Sequence, residues 1–187
     1  MNQKYEFVEG DEVTTLSGVT LKRIRALVTI GATATTPAVN PEDLGGYIQS
    51  EANLSETGDA WVHGDAWVYG DARVSDNALV SDNARVCGDA LVSDNGLIFW
   101  ASKVGTENGT LTVYNGKDDT LLVTRGCFFG SPAEFLEKSK RVHDARTHHE
   151  YKLLIEVATS RIEAARARLL EPVERLALGF PQKEHFK

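Results

Sequence analysis

The side chains best suited to chemistry in this sequence fall into a few groups. His143, His148 and His149 lie close together beside Asp144 and Glu150, and imidazole and carboxylate donors at such spacing can hold zinc. Against that, neighbouring His148 and His149 point to different faces of a helix, and Cys127 is far along the chain, so helix-end histidines are the plainer reading. Trp61, Trp67, Tyr69, Arg73 and Arg85 form a set that could stack a base and pair a phosphate, and packing at an interface is the competing reading. Lys22, Arg23 and Arg25 could form an anion site or simply be outward charges on a strand. Gly64-Asp65 and its repeats recur too regularly for a phosphate loop. No catalytic residue, metal ligand or cofactor is assigned.

These residues must be positioned by a repeat. Val62, Val68, Val74, Val80, Val86, Val92 and Ile98 recur every six residues, and two places before each stands a small residue: Ala60, Ala66, Ala72, Ala78, Ala84, Ala90 and Gly96. Gly-Asp or Asp-Asn pairs precede the small residues. A β-branched residue suits a strand and fills a core. Gly, Asn and Asp tolerate the left-handed backbone of a tight corner. Such pairs every six residues would break a helix.

The hexads resemble the hexapeptide-repeat family of left-handed β-helices over roughly residues 47–99. The wider stretch from Leu44-Gly45-Gly46-Tyr47-Ile48 through Gly58-Asp59-Ala60-Trp61-Val62 is similar to phage- and prophage-encoded β-helix proteins of the polymer-forming type. Gly126-Cys127-Phe128, Glu134-Phe135, His143 and Glu150-Tyr151 look like the C-terminal element of such proteins. The resemblance implies a mainly β fold with α: a short left-handed β-helix over 47–104, capped by N-terminal strands and a loop in 1–46, then a β-hairpin in 105–130 and a helical region in 131–187. Hexapeptide acyltransferases use a histidine general base, and His63 is the only histidine in the repeat. The related γ-type carbonic anhydrases need three, and the acceptor-building loop excursions are missing.

Three hexads per turn would stack residues 18 apart. One face then carries Trp61-Val62-His63 over Leu79-Val80-Ser81 over Leu97-Ile98-Phe99. The valines point in, while Trp61, Leu79 and Leu97 point out with Phe99 beside them. The second face carries Trp67-Val68-Tyr69 over Arg85-Val86-Cys87, and the third Arg73-Val74-Ser75 over Leu91-Val92-Ser93. An outward apolar column needs a cover, either the chain's own C-terminal helix or a second subunit.

The flanks are predicted as strands over Tyr5 to Val8 and Thr20 to Val28, a loop over Ala32 to Asp43, and strands at Leu111 to Tyr114 and Leu121 to Thr124 around the turn Asn115-Gly116-Lys117-Asp118-Asp119. Ser131-Pro132-Ala133-Glu134 reads as a capping box that opens a helix. A longer helix is expected from about Thr147 to Glu171. On it Ile155, Ile162, Leu169 and Leu176 recur every seven residues, with Ala158 and Ala165 between. This seam either packs on the coil or joins copies of the chain as a dimer or trimer. Pro172 is expected to interrupt it.

The chain has 187 residues and a net charge of −7, which disfavours direct nucleic-acid binding. Residues 51–104 hold nine acids and three bases, nearly all of that net charge. Two cysteines make no disulfide framework, the N-terminus lacks a signal-peptide pattern, and no stretch is apolar enough to span a membrane. A cytoplasmic setting in a bacterial host is the default. The leading expectation is a non-enzymatic phage- or prophage-type binding and assembly protein, a homo-oligomer that engages a host protein or sequesters a small nucleotide-like ligand, with an anti-defence role in view. Its candidate surface is Trp61, His63, Trp67, Tyr69, Arg73, Leu79, Arg85, Leu97 and Phe99. The alternatives are an acidic DNA mimic that inhibits a nucleic-acid enzyme and an acyltransferase that uses acetyl-CoA.

Overall fold

A computed structural model describes residues 2–31 and 38–177, and of 171–177 the backbone only. The expected loop at 32–43 therefore lies partly outside the described residues, as does the Leu176 side chain.

The chain opens with a hairpin, β1 (Tyr5–Thr14), which runs past the predicted end at Val8, and β2 (Thr20–Ala26), which stops two residues short of the predicted Val28. Within the expected loop, Val39 makes an antiparallel bridge with Ile30. Strand β3 (Leu44–Ile48) follows and pairs antiparallel with β2. The hexads then give six two-residue strands: β4 (Trp61–Val62), β5 (Trp67–Val68), β6 (Arg73–Val74), β7 (Leu79–Val80), β8 (Arg85–Val86) and β9 (Leu91–Val92). These pair in parallel at the 18-residue interval, β4 with β7, β5 with β8 and β6 with β9. Above them Ile48 pairs with Val68, and Leu54 with Val74, at an interval of 20.

The expected fold class is corrected. The molecule is not a β-helix with appendages but a mixed β and α structure of several small sheets. A five-stranded mixed sheet runs β1-β2-β3-β5-β8, and a four-stranded antiparallel sheet joins β10 (Ile98–Val104), β11 (Gly109–Asn115), β12 (Leu121–Arg125) and β13 (Phe128–Gly130). β4-β7 and β6-β9 form two-stranded sheets, and two helices follow, α1 (Pro132–Val142) and α2 (Ala145–Ala177). The physical reason is the brevity of the metre. It supplies two-residue strands in only a few layers, so one ladder is absorbed into a sheet with the N-terminal hairpin. The expected hairpin of residues 105–130 becomes the inner pair of four strands.

The repeat valines are buried, as are the alanines two places before them. Backbone at the corners takes the left-handed conformation at Gly58, Gly64, Asp76 and Asp82. At Gly58 a Cβ would lie 2.7 Å from Asp76 O of the layer below, so glycine meets both a backbone and a space requirement there.

Both ends of the stack are sealed by the chain's own side chains. At one end Lys4 Nζ donates to Ser55 O at 3.0 Å and Tyr5 Oη to Leu54 O at 2.9 Å. At the other, Thr112 Oγ1 and Tyr114 Oη each accept a backbone N–H at 3.1 Å, from Arg85 and Cys87. Thr124 Oγ1 donates to Arg85 O, and Asn115 Nδ2 to Leu91 O. Backbone groups that another layer would have paired are thus satisfied.

Ser131 caps α1 in a full capping box with Glu134. Helix α2 begins two residues before the predicted start and continues through Pro172 rather than breaking there. Ile155, Ala158, Ile162 and Ala165 are buried against the body of the same chain, while Leu169 is 44% exposed. Of the two readings of this seam, the structure shows packing on the chain's own body. Among the described residues no helix is long and apolar enough to cross a membrane.

Candidate functional site

The nine candidate surface residues do not form one surface. Trp61 was expected to face outward; instead it is 0% exposed. Its indole lies under the N-terminal strands, 6.3 Å from the Tyr5 ring, and a Cβ on Gly45 would stand 2.8 Å from Trp61 Cζ2. Leu97 is buried and Leu79 half-buried, because α2 crosses this end of the column. An added Cβ at neighbouring Gly96 would lie 2.5 Å from Ala165 Cβ. Phe99 is half-buried in β10 and packs against the core. The apolar column is therefore covered within the chain, by strands at one end and a helix at the other.

His63 is half-buried, its ring 6.5 Å from that of Trp61. Burial lowers the imidazole pKa, with Asp43 opposing. On the second face Arg85 lies 4.2 Å over the Trp67 ring, so those two are brought together. Arg23 sits 4.2 Å over Tyr47, one strand further along the sheet. Tyr69 is half-buried, its pKa raised by burial and by Cys87. This face is tied up in stacking and sheet contacts.

The basic triad of β2 is ion-paired. Arg23 meets Asp11 at 2.8 Å, Lys22 meets Glu12 at 3.8 Å, and Arg25 binds Glu6 and Glu42. The helix-end histidines scatter: His148 Nδ1 faces Ser139 Oγ at 3.2 Å, and His143 packs on Tyr151. Among the described residues no group of three His, Cys, Asp or Glu side chains could hold a metal.

What stays open is the third face. A groove of about 380 Å³ runs over the β6–β9 ladder. Leu54, Val74 and Val92 line it together with Ser55, Ser75 and Ser93, one serine from each of three successive layers, and Arg73, Glu51 and Glu56 bring charges of both signs to its lining. Leu91 stands in it 41% exposed. A second cavity of about 270 Å³ shares Leu91 and Ser93 and continues to Leu97, Asn115, Asp119, Arg166, Leu169 and Leu170 on α2. Arg166 is held at that end by Asn115 Oδ1 at 2.7 Å and Thr120 O at 2.8 Å.

Compared with protein families, curated proteins and solved structures, the chain finds no match.

Sequence reasoning stacked Arg73-Val74-Ser75 over Leu91-Val92-Ser93 and placed Arg73 in the candidate set, but did not single out Leu91 or the serines. The signal was present: Val74-Ser75 and Val92-Ser93 share a register 18 residues apart, and Leu54-Ser55 repeats the dipeptide. The two-residue insertion after Leu54 put only the Leu54-Ser55 layer out of register with the other two. The groove combines an exposed apolar anchor, hydroxyls and opposed charges on a ladder backbone. Its lining holds no histidine or cysteine.

Proposed function

We propose that the chain is a non-enzymatic binding and assembly protein of the phage or prophage kind. It engages a host protein through the groove over β6–β9 and associates with copies of itself. The groove carries this reading. Leu91 is the anchor, an apolar side chain exposed beside polar rim groups. Arg73, Glu51 and Glu56 provide charges that select orientation, and the serines provide hydrogen bonds to an extended segment. The phage or prophage setting rests on the resemblance of the Gly-Asp-Ala hexads. A cytoplasmic site of action is supported by two free cysteines, Cys87 buried and Cys127 exposed, which suit a reducing compartment.

The test is capture from bacterial lysate by tagged wild-type chain and by Leu91→Asp and Arg73→Glu. Both variants replace side chains at the surface, so the fold should persist. The expected result is one host protein held by the wild type and lost, by tenfold or more, in both variants. Equal capture by all three would sink the reading. Native mass spectrometry on the same eluates separates the small-ligand version: a bound small molecule lost from the Leu91→Asp chain would replace the host protein as occupant.

Neither alternative is favoured by a comparable observation. His63 does not line the groove. Several repeat acids already have local partners: Asp59 accepts from Gly31 N, Asp65 meets Arg23, Asp82 accepts from Trp100 Nε1, and Asp94 caps the turn at Gly96.

A further inference from the structure

Helix α2 carries two seams, and only one is buried by the described residues. Ile155, Ala158, Ile162 and Ala165 face the body and are buried. At about 100° per residue, Leu153, Val157, Ser160, Ala164 and Ala167 share a stripe about 160° away. All five are exposed, Leu153 at 48% and Val157 at 49%. Their spacing alternates four and three residues, the pattern of a and d positions in a heptad. In that frame Val157 and Ala164 are a, and Leu153, Ser160 and Ala167 are d.

The flanking charges identify the occupant. Glu156 and Glu163 fall at g, and Arg161 and Arg168 at e. Each acid precedes an arginine by five residues. That interval brings no pair together within one helix, where partners are three or four apart. Across a parallel two-stranded pair, g of one helix meets the following e of the other. In an antiparallel pair the glutamates would face each other, and so would the arginines. The pattern is therefore complementary to a second copy of itself in one orientation. All four side chains are exposed. Among the described residues Glu156 makes only an exposed 3.8 Å pair with Lys152 on its own helix, which offers little competition. The Arg168 guanidinium rests near Gly96 and would swing outward.

Two further features agree. The body lies on the far side of α2, so two bodies would sit on the outer flanks of a parallel pair without collision. Small residues at a and d let the helices approach closely. End-to-end growth is blocked by the side chains that seal both ends of the stack, which leaves a lateral contact for assembly.

We infer that the solvent-facing seam of α2 is a homodimer interface. Two α2 helices pair in parallel, with Glu156 and Glu163 of each copy meeting Arg161 and Arg168 of the other. This rests on the assembly part of the proposed function and is independent of the groove.

Sedimentation equilibrium at low salt, under reducing conditions, on the full chain tests it. The wild type should sediment at twice 20.5 kDa. The variant Glu156→Arg/Glu163→Arg and the variant Arg161→Glu/Arg168→Glu should each raise the dimer dissociation constant at least tenfold, and an equimolar mixture of the two should restore the dimer. Circular dichroism should show both variants folded. In a Cys127→Ser background, Leu153→Cys should crosslink on oxidation in the parallel arrangement. A monomeric wild type would overturn both this interface and assembly itself. A stable oligomer indifferent to the charge reversals would overturn this interface alone, and a dimer without the Leu153→Cys crosslink would overturn its parallel arrangement.

Discussion

Single residues in this molecule mostly close polar accounts that the short strands leave open. Asn53, fully buried, donates from Nδ2 to Gly70 O and Ala72 O and accepts from Ser50 N, which ties the first layer to the second. Tyr114 Oη accepts from Cys87 N in a buried site. Removing that hydroxyl leaves a buried N–H without a partner, so Tyr114→Phe should destabilise the fold by about 1–3 kcal/mol. A denaturant midpoint that falls with an unchanged m-value would show it. Lys4 is buried with its Nζ on Ser55 O, and desolvation lowers its pKa to about 8, against a pull upward from Asp59. Between pH 8 and 10.5 the unfolded chain holds this proton and the folded chain does not. Stability from Lys4 therefore rises with pH through that window and is least below pH 8. Lys4→Met should remove the rise. The raised Cys87 and Tyr114 groups act in the opposite direction at high pH, so the quantity to measure is the wild-type minus variant unfolding free energy at pH 7 and pH 9.5.

At the scale of elements, the junction of β3 with the hexads controls how the N-terminal hairpin joins the rest. Strand β3 lies so close to the first hexads that a Cβ at Gly46 would meet Ala66 O at 2.5 Å and Val62 Cγ1 at 2.7 Å. Backbone and core atoms cannot both give way, so Gly46→Ala should destabilise by about 1–3 kcal/mol or more, with hydrogen exchange raised first in β3 and β5. Helix α2 depends on its buried seam. Ile162→Ala removes a fully buried side chain and should lower stability by about 2–5 kcal/mol, read from thermal or denaturant unfolding. The same seam explains why the helix has a second, unused face. An amphipathic helix normally turns one stripe to the core and polar residues outward, and the exposed Leu153 and Val157 depart from that.

For the whole molecule, the decisive feature is that the hexad stack is closed at both ends and enclosed on two faces. The N-terminal hairpin extends one ladder and covers Trp61, the four-stranded sheet seals the far end, and α2 covers Leu97. One face and one helix stripe remain exposed, the two that the proposals use. Unsealing the far end should change the mode of assembly. A Thr112→Val, Tyr114→Phe and Thr124→Val chain exposes unpaired strand edges and should grow in light scattering with concentration, beyond the limit that the wild type reaches. Absence of such growth would show that the seal is not what limits end-to-end stacking.

The sequence by itself determined the local rules. Valine every six residues with alanine two places earlier dictated which side chains face inward, because a two-residue strand between tight corners leaves no other way to bury them. The capping box dictated where α1 begins, and the turn at 115–119 dictated the β11–β12 pairing. These are short-range consequences of side-chain shape and backbone preference. Tertiary structure decided everything that depends on what covers what. An outward Trp61 is equally consistent with a free surface, a subunit contact or a lid, and only the arrival of Tyr5 and β3 made it core. The fold class was misjudged for the same reason: a strict repeat advertises itself, while the irregular flanks that absorb it into mixed sheets have no periodic signal. Two layers of the candidate groove were legible in the 18-residue stacking, but the Leu54-Ser55 layer was displaced by a two-residue insertion, and the use of α2 was undecided until the body claimed the Ile155–Ile162 side. A helix sequence records which stripes can pack, but the surrounding chain determines which of them is left for a partner.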